Sequence, residues 1–350
     1  MLGRQRMNAD IVLGGGGVKA NAHLGAVAAL AQHGFTFPRA AGTSAGALVA
    51  ALIAAGVPGD QLFAVMRGMD YRRLRDTTGV ARLGLPGRVL SLLFAQGMFE
   101  GDELREWIRD TLKRETGAER FGDLRLDDDP GTDLRPNQRY RLVVICADVS
   151  RGQLVRLPWD YAQYGLDPDR QLIADAVRAS ASIPFVFKPV RLKWAAPSSN
   201  RSTLVDGGAV SNFPIEIFDR TDRQPPRWPT FGVRLSKQPA PGELLNQVRG
   251  TLSLAEAILE TAVNGNDQVH LADPCVAART MFVDTLGVRD MDFDISLATR
   301  QRLFDAGRAA AESFLSTWDW ERHRRICGQD PGRAARALSA RGTDVPGPAG

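Results

Sequence analysis

Ser44 lies between two glycines in the stretch Gly42-Thr43-Ser44-Ala45-Gly46, which has the form Gly-x-Ser-x-Gly. A serine at a tight turn from a strand into a helix can be held in a strained backbone that exposes its hydroxyl group. Glycines on either side let neighbouring segments approach without a Cβ clash. Such a serine can attack an ester carbonyl, so the pattern indicates nucleophilic acyl transfer.

The segment after Ser44 predicts a helix that is apolar on all sides. Its larger apolar residues share one helical stripe, and alanines cover the other face; the stripe residues are Leu48, Val49, Leu52 and Ile53. The partial positive charge at a helix N-terminus favours an anionic transition state near Ser44. The alternative is that Ser44 only caps the helix.

Four consecutive glycines, Gly14 to Gly17, follow a short strand predicted over 11–13. Backbone N–H groups in such a loop point at one spot that no side chain covers, which suits an oxyanion. A dinucleotide-binding loop is the alternative, because Gly15-x-Gly17-x-x-Ala20 fits the relaxed Gly-x-Gly-x-x-Gly/Ala pattern. That alternative requires an acidic residue at the end of the next strand, and none occurs in the stretch 35–42.

Asp206 is a candidate base for the serine. It ends a strand predicted over 204–206 and precedes Gly207 and Gly208, where the crevice of an open sheet would begin. The alternative is an ordinary turn, because Asp-Gly is a common turn pair. The residues themselves leave both interpretations open.

The four histidines are the other candidate bases. His270 follows Ser44 and Asp206, which is the chain order of hydrolase triads. We expect His23 to pack within the first helix, and His33 to lie at the C-terminus of that helix. His323 lies in an arginine-rich segment.

The predicted elements alternate between strands and helices. A strand over 11–13, a helix from about 20 to 32, an extended segment over 37–41 and the helix after Ser44 come first. The clearest buried strand covers 141–149, and the later elements are a helix over 170–182, a strand over 230–235 and helices over 244–264 and 303–318. This order predicts a three-layer α/β/α fold with a central, mostly parallel sheet flanked by helices.

Three segments, in this order, closely resemble the motifs of the patatin-like phospholipase family: LGGGGVKANAHLGAV, GTSAG and DGGAVSNFP. The stretch RASASIPFVFKPV before the third motif is also similar to that family. The resemblance spans about Asp10 to Pro214. One departure is Ala20, which stands where the family usually has glycine and should be tolerated there.

The resemblance implies a Ser–Asp dyad in which Ser44 is the nucleophile and Asp206 the base. It also implies that Gly15, Gly16 and Gly17 form the oxyanion loop with Lys19 at its basic position. The remaining motif glycines would be Gly42, Gly46, Gly207 and Gly208. The chain would then be a lipid acyl hydrolase of the phospholipase A or lysophospholipase type. Its substrate would be a phospholipid or another acyl lipid, and the reaction would need no cofactor or metal.

Two alternative functions stay open on the residues alone. An α/β-hydrolase-type esterase would complete a triad with His270. A nucleotide-binding module would use the glycine-rich loop without any acyl chemistry.

We expect one catalytic domain over 8–325, with its motifs in 10–214 and a candidate lid or cap over 83–99. The polar stretch 127–138 is expected to be a surface loop. Residues 331–350 are small, polar and rich in Pro and Gly, which predicts a disordered tail.

Composition narrows the class of protein. With 44% hydrophobic and 24% charged residues in 350, the chain is typical of a globular protein with a sizeable core. The net charge is +4, and no basic run is long enough to predict nucleic-acid binding. The polar start over 1–10 does not resemble a signal peptide, and the apolar run over 47–57 is too short for a membrane span. Membrane contact would therefore be peripheral.

The cysteines Cys146, Cys275 and Cys327 are scattered, odd in number and without a Cys-x-x-Cys pair. This spacing argues against a disulfide framework or a zinc site and predicts reduced thiols. It favours a reducing compartment, and we expect the protein to be cytoplasmic.

Overall fold

The structure is a computed structural model that describes residues 6–76, 97–129, 131–196, 198–222, 224–236, 273–328 and 333–342. The helix predicted over 244–264, His270 and most of the candidate lid lie outside the described residues.

The strands of the described chain are short, and most belong to one sheet. They are β1 (Met7–Asn8), β2 (Asp10–Leu13), β3 (Phe35–Thr36), β4 (Ala40–Thr43), β5 (Gly97–Phe99), β6 (Leu142–Asp148), β7 (Gln153–Leu157), β8 (Phe185–Phe187), β9 (Val190–Lys193), β10 (Arg201–Asp206), β11 (Thr230–Arg234) and β12 (Thr280–Phe282).

The α-helices lie between and after these strands. They are α1 (Asn21–Gln32), α2 (Ala45–Ala54), α3 (Leu62–Arg67), α4 (Asp102–Thr116), α5 (Ile173–Ser180), α6 (Pro274–Ala277), α7 (Leu297–Thr317), α8 (Trp320–Gly328) and α9 (Arg333–Arg341). Among the described residues, no helix is both long enough and apolar enough to cross a membrane.

The central sheet of the described chain has eight strands in the order β12-β11-β2-β4-β6-β10-β9, with β7 also paired to β6. The strands from β12 to β6 run parallel, while β7 and β10 pair with β6 in the antiparallel sense. Helices flank this sheet. The predicted α/β fold with a central, mostly parallel sheet is therefore confirmed.

The centre of the sheet is apolar because it is covered on both faces, as parallel sheets require. Every residue of β2, β4 and β6 is buried. Helix α2 is buried from Gly46 to Ala54, which confirms the prediction of a helix that is apolar on all sides. The strand expected over 37–41 begins later, at Ala40, and the last predicted helix begins earlier, at Leu297.

Residues 97–99 of the candidate lid form β5, which pairs in parallel with β8 in a separate two-stranded sheet. This part of the candidate lid is thus tied to the segment that precedes β10. The rest of the candidate lid, 83–96, lies outside the described residues.

The prediction of a disordered tail is wrong for residues 333–341, which form helix α9. Ala337 is fully buried, and the Arg341 guanidinium bonds to the carboxylate of Asp133 and to the carbonyl of Ile217. The small, polar, Pro- and Gly-rich composition suggested disorder, but the arginines of this stretch pair with carboxylates far away in the sequence. The sequence alone does not show those partners.

The prediction of three reduced cysteines is also wrong, because Cys275 and Cys327 form a disulfide across 52 residues. The bond links α6 to α8, while Cys146 stays free and buried in β6. Cysteine spacing contained no sign of this pair, since the two residues belong to helices that meet only in the folded chain. The disulfide removes the cysteine-based argument for a reducing compartment.

We predict that Arg341→Ala destabilises the fold by about 3 kcal/mol, because it leaves the Asp133 carboxylate buried without its guanidinium. Urea unfolding followed by circular dichroism measures the change. Arg170→Ala is the control, since its ion pair with Asp167 is solvent-exposed and should contribute less than about 1 kcal/mol. Equal losses for the two variants would show that α9 does not hold the fold together.

Candidate active site

Ser44 occupies the turn between β4 and α2 with φ of 54° and ψ of −126°. Residues other than glycine rarely adopt such a positive φ, and the conformation costs on the order of 1–3 kcal/mol. The residue is only 5% exposed. Its hydroxyl donates a hydrogen bond to the Asp206 carboxylate. Ser44 and Asp206, which are 162 positions apart by their numbers, are therefore neighbours.

The two glycines around Ser44 are required by close packing of the main chain. A Cβ on Gly42 would overlap the backbone of Gly46, and a Cβ on Gly46 would overlap the carbonyl oxygens of Leu13 and Gly14. Backbone atoms cannot swing aside as a side chain can. The two glycines of the Gly-x-Ser-x-Gly pattern are therefore needed because β4, α2 and the end of β2 pack closely together.

Asp206 ends β10 beside β6 and is 6% exposed. Its backbone N–H donates to the Ser182 carbonyl over 2.9 Å, and one carboxylate oxygen accepts the Gly208 N–H over 2.8 Å. Burial raises the pKa of the Asp206 carboxyl from 3.8 to about 7, although the Ser44 and Gly208 donors lower it in part. The negative charge of Asp290 raises this pKa further.

The glycine-rich loop runs from the end of β2 into a 3-10 turn before α1. The Gly14 N–H continues the ladder with β11 by donating to the Val233 carbonyl. The Gly15 N–H donates to the Asn212 side-chain oxygen over 3.1 Å. In the part of the chain that the structure describes, the N–H groups of Gly16 and Gly17 have no protein acceptor. Among the described residues, two of the three predicted loop donors therefore lack a protein acceptor.

Lys19 forms an ion pair with Asp290. The main chain of Asp290 also lies against the loop, because its carbonyl accepts the Val18 N–H over 2.9 Å and would meet any Cβ on Gly17. The predicted basic position of the loop is therefore engaged by a carboxylate from the segment before α7. No sequence signal identified Asp290.

Asn212 and Ser180 each accept a backbone N–H from a residue of the candidate site, and the sequence predicted no role for either. Asn212 lies six residues after Asp206, and its side-chain oxygen accepts the Gly15 N–H. Ser180, at the end of α5, accepts the Ser44 N–H at its hydroxyl oxygen over 2.8 Å. The Asn in DGGAVSNFP and the first serine of the RASAS stretch could have been noticed as polar residues beside motif segments.

His23 packs within α1, as predicted. Its Nε2 lies 2.7 Å from the Gly14 carbonyl, and burial lowers its pKa to about 4, so the ring is neutral at pH 7. His33 caps α1 and its ring pairs with Glu312, and His323 stacks on Trp320. None of these three described histidines bonds to Ser44.

An apolar cavity opens beside Ser44 and the glycine-rich loop. Its walls come from the loop, α2, α3 and the segment around β8, and include Val18, Leu48, Met66, Met69, Ile183 and Phe187. Asp290 and Phe293 also line it. Ser44 therefore lies at the edge of a mostly apolar space.

The model of the family described as patatin-like phospholipase matches residues 11–219. The chain belongs to the patatin-like phospholipase family. This membership supports a lipid-hydrolysing activity, and it does not favour the nucleotide-binding or His270-triad alternatives. The matched range contains both Ser44 and Asp206.

Similar proteins differ in how well they match this patatin-like chain. The uncharacterized protein YqhO of Bacillus subtilis (strain 168) is 34% identical over 317 residues, which are 90% of this chain and 100% of YqhO. VipD of Legionella pneumophila is 16% identical, with a TM-score of 0.49 over 89% of this chain and 67% of VipD. A chain of the ExoU–SpcU complex of Pseudomonas aeruginosa is 18% identical, with a TM-score of 0.46 over 96% of this chain and 58% of its own length.

We predict that Gly46→Ala destabilises the patatin-like domain by about 3 kcal/mol, because the new methyl group meets two main-chain oxygens. Thermal and urea unfolding measure the loss. Gly68→Ala is the matched control, since its φ is −69° and the nearest atom to its Cβ is the Val65 oxygen at 3.3 Å. The tight-packing argument fails if the two variants are equally stable.

Proposed function

We propose that this chain hydrolyses carboxylic ester bonds of phospholipids or other acyl lipids through a dyad of Ser44 and Asp206. The observation that carries the proposal is the hydrogen bond from the Ser44 hydroxyl to a buried carboxylate whose pKa is raised to about 7. A general base works best when its pKa lies near the working pH. An exposed aspartate, with a pKa near 3.8, would be too weak a base for a serine.

Acylation begins when Asp206 takes the Ser44 proton and the serine oxygen attacks the ester carbonyl carbon. The tetrahedral intermediate collapses as the protonated Asp206 gives that proton to the departing alcohol, which leaves an acyl-serine. A water molecule then loses a proton to Asp206 and attacks the acyl group. The carboxylic acid departs, and Ser44 recovers its proton from Asp206.

The oxyanion of each tetrahedral intermediate needs preorganised donors. The N–H groups of Gly16 and Gly17 have no protein acceptor among the described residues, and they lie on the loop that flanks Ser44. The N-terminus of α2, directly after Ser44, adds positive potential. Gly15 contributes by holding the loop in place, because Asn212 occupies its N–H.

The apolar cavity supports a lipid as the acyl donor. Its lining offers almost no hydrogen-bonding groups, so an acyl chain would displace water from Met66, Met69 and Phe187 at a gain of about 25 cal/mol per Å² buried. Lipid substrates are held in membranes or micelles, so the proposal includes peripheral contact with a lipid surface.

We predict that Ser44→Ala and Asp206→Asn each lower esterase turnover by at least about a thousandfold, because each removes one half of the proton-transfer pair. Turnover is measured on lysophospholipid micelles, on phospholipid vesicles and on a short-chain p-nitrophenyl ester. A fluorophosphonate probe should label wild-type protein at Ser44, as mapped by mass spectrometry of the labelled peptide.

His270→Ala separates the dyad from a triad and should keep most of the activity. Full activity in Asp206→Asn with none in His270→Ala would replace the dyad with the triad. If the fluorophosphonate probe does not label the protein and a dinucleotide raises its melting temperature, the result would favour the nucleotide-binding alternative.

We predict that kcat/KM falls about tenfold per pH unit below about pH 7 and is level above it. The reason is that the base must be ionised, and burial raises the pKa of Asp206 to about 7. Initial rates on a neutral ester from about pH 5 to pH 9 provide the test. A profile that stays flat down to pH 5 would mean that Asp206 is not the titrating base.

A further inference from the structure

Ser180 is a fully buried serine at the last position of α5, and its hydroxyl makes two hydrogen bonds. Its oxygen accepts the backbone N–H of Ser44 over 2.8 Å. Its own proton goes to the Ile145 carbonyl in β6 over 2.6 Å. Because the Ile145 carbonyl can only accept, the serine must donate to it and so must turn a lone pair towards Ser44.

We propose that Ser180 is a positioning residue that holds the Ser44 backbone in its strained conformation, an inference that rests on the proposed function. At a φ of 54° the chain of Ser44 would relax if nothing restrained it. The bond from Ser180 fixes the direction of the Ser44 N–H, and with it the direction in which the side chain leaves the backbone. Ser180 therefore aims the nucleophile without touching the substrate.

The same short segment also fixes the base. Two residues after Ser180, the carbonyl of Ser182 accepts the Asp206 N–H over 2.9 Å. The end of α5 thus holds Ser44 through a side chain and Asp206 through the main chain. This common support sets the separation between the two members of the dyad.

Arg178 anchors that support. Its buried guanidinium donates to the Ser182 hydroxyl, to the Glu100 carbonyl and, over 2.8 Å, to the Lys188 carbonyl. The segments that contain Glu100 and Lys188 are therefore bonded to the end of α5. The arginine and the two serines, at alternate positions in the stretch RASAS, act as one structural unit.

Ser180→Ala tests the proposal. The variant leaves the buried Ser44 N–H without an acceptor, so we expect kcat and the rate of fluorophosphonate labelling to fall by roughly 10- to 100-fold. KM should change by less than about twofold, because Ser180 does not line the substrate cavity. When rates are expressed per folded molecule, a loss of stability alone changes neither kcat nor KM.

Ser202→Ala is the matched control. Ser202 is 1% exposed and accepts the Trp194 indole N–H over 3.1 Å, so its removal also costs one partly buried hydrogen bond. It lies on the same strand as Asp206 but away from Ser44. We expect Ser202→Ala to lose a similar amount of stability and to keep kcat within about twofold of wild type.

Hydrogen exchange at the Ser44 amide gives a second measurement that needs no activity. In wild type this amide should exchange slowly, and Ser180→Ala should accelerate it while amides of β4 stay protected. An unprotected Ser44 amide in wild type would overturn the proposal, even if Ser180→Ala did not fold. A kcat in Ser180→Ala within twofold of wild type would overturn it as well.

The two proposals fail in different ways. If no fluorophosphonate labels the wild-type protein, the proposed function is wrong. The hydrogen-exchange rates then decide whether Ser180 holds the Ser44 backbone. Labelled wild type with an equally labelled Ser180→Ala would keep the proposed function and reject the positioning role.

Discussion

The structure depends on one constraint, which is the strained backbone of Ser44 between β4 and α2. A φ of 54° persists only where the surrounding structure holds the residue in place. Gly42 and Gly46 permit main-chain atoms to meet around the turn, and Ser180 bonds to the serine amide. Burial of nearly all of α2 supplies the packing free energy that offsets this local strain.

Burial of Asp206 shows the conflict between stability and chemistry. Its folded-state pKa of about 7 exceeds the ordinary 3.8, so folding disfavours the ionised form. The carboxyl group therefore lowers the stability of the fold progressively as pH rises from about 4 to 7, and by a constant amount above that. In the proposed dyad, the same burial makes Asp206 an effective base near neutral pH. Sites adapted to function commonly sacrifice stability in this way.

Where sequence inference failed, the cause was a partner from a remote part of the chain. The predicted disordered tail includes α9, whose Arg341 pairs with Asp133. Cys275 pairs with a cysteine from another helix, and the carboxylate opposite Lys19 comes from residue 290. Composition and local patterns describe a segment by itself. They do not reveal which distant charge or thiol will lie against it.

The sequence alone determined the α/β class, the central, mostly parallel sheet and the family. Those features follow from local signals, such as buried strands, helical stripes and the glycine-bounded turn at Ser44, which act over a few residues. Only the tertiary structure decided that the Ser44 hydroxyl meets Asp206, that Asn212 takes the Gly15 N–H and that Ser180 holds the serine backbone. Hydrogen bonds between residues far apart in the chain need fixed distances and angles, and only the folded core supplies those.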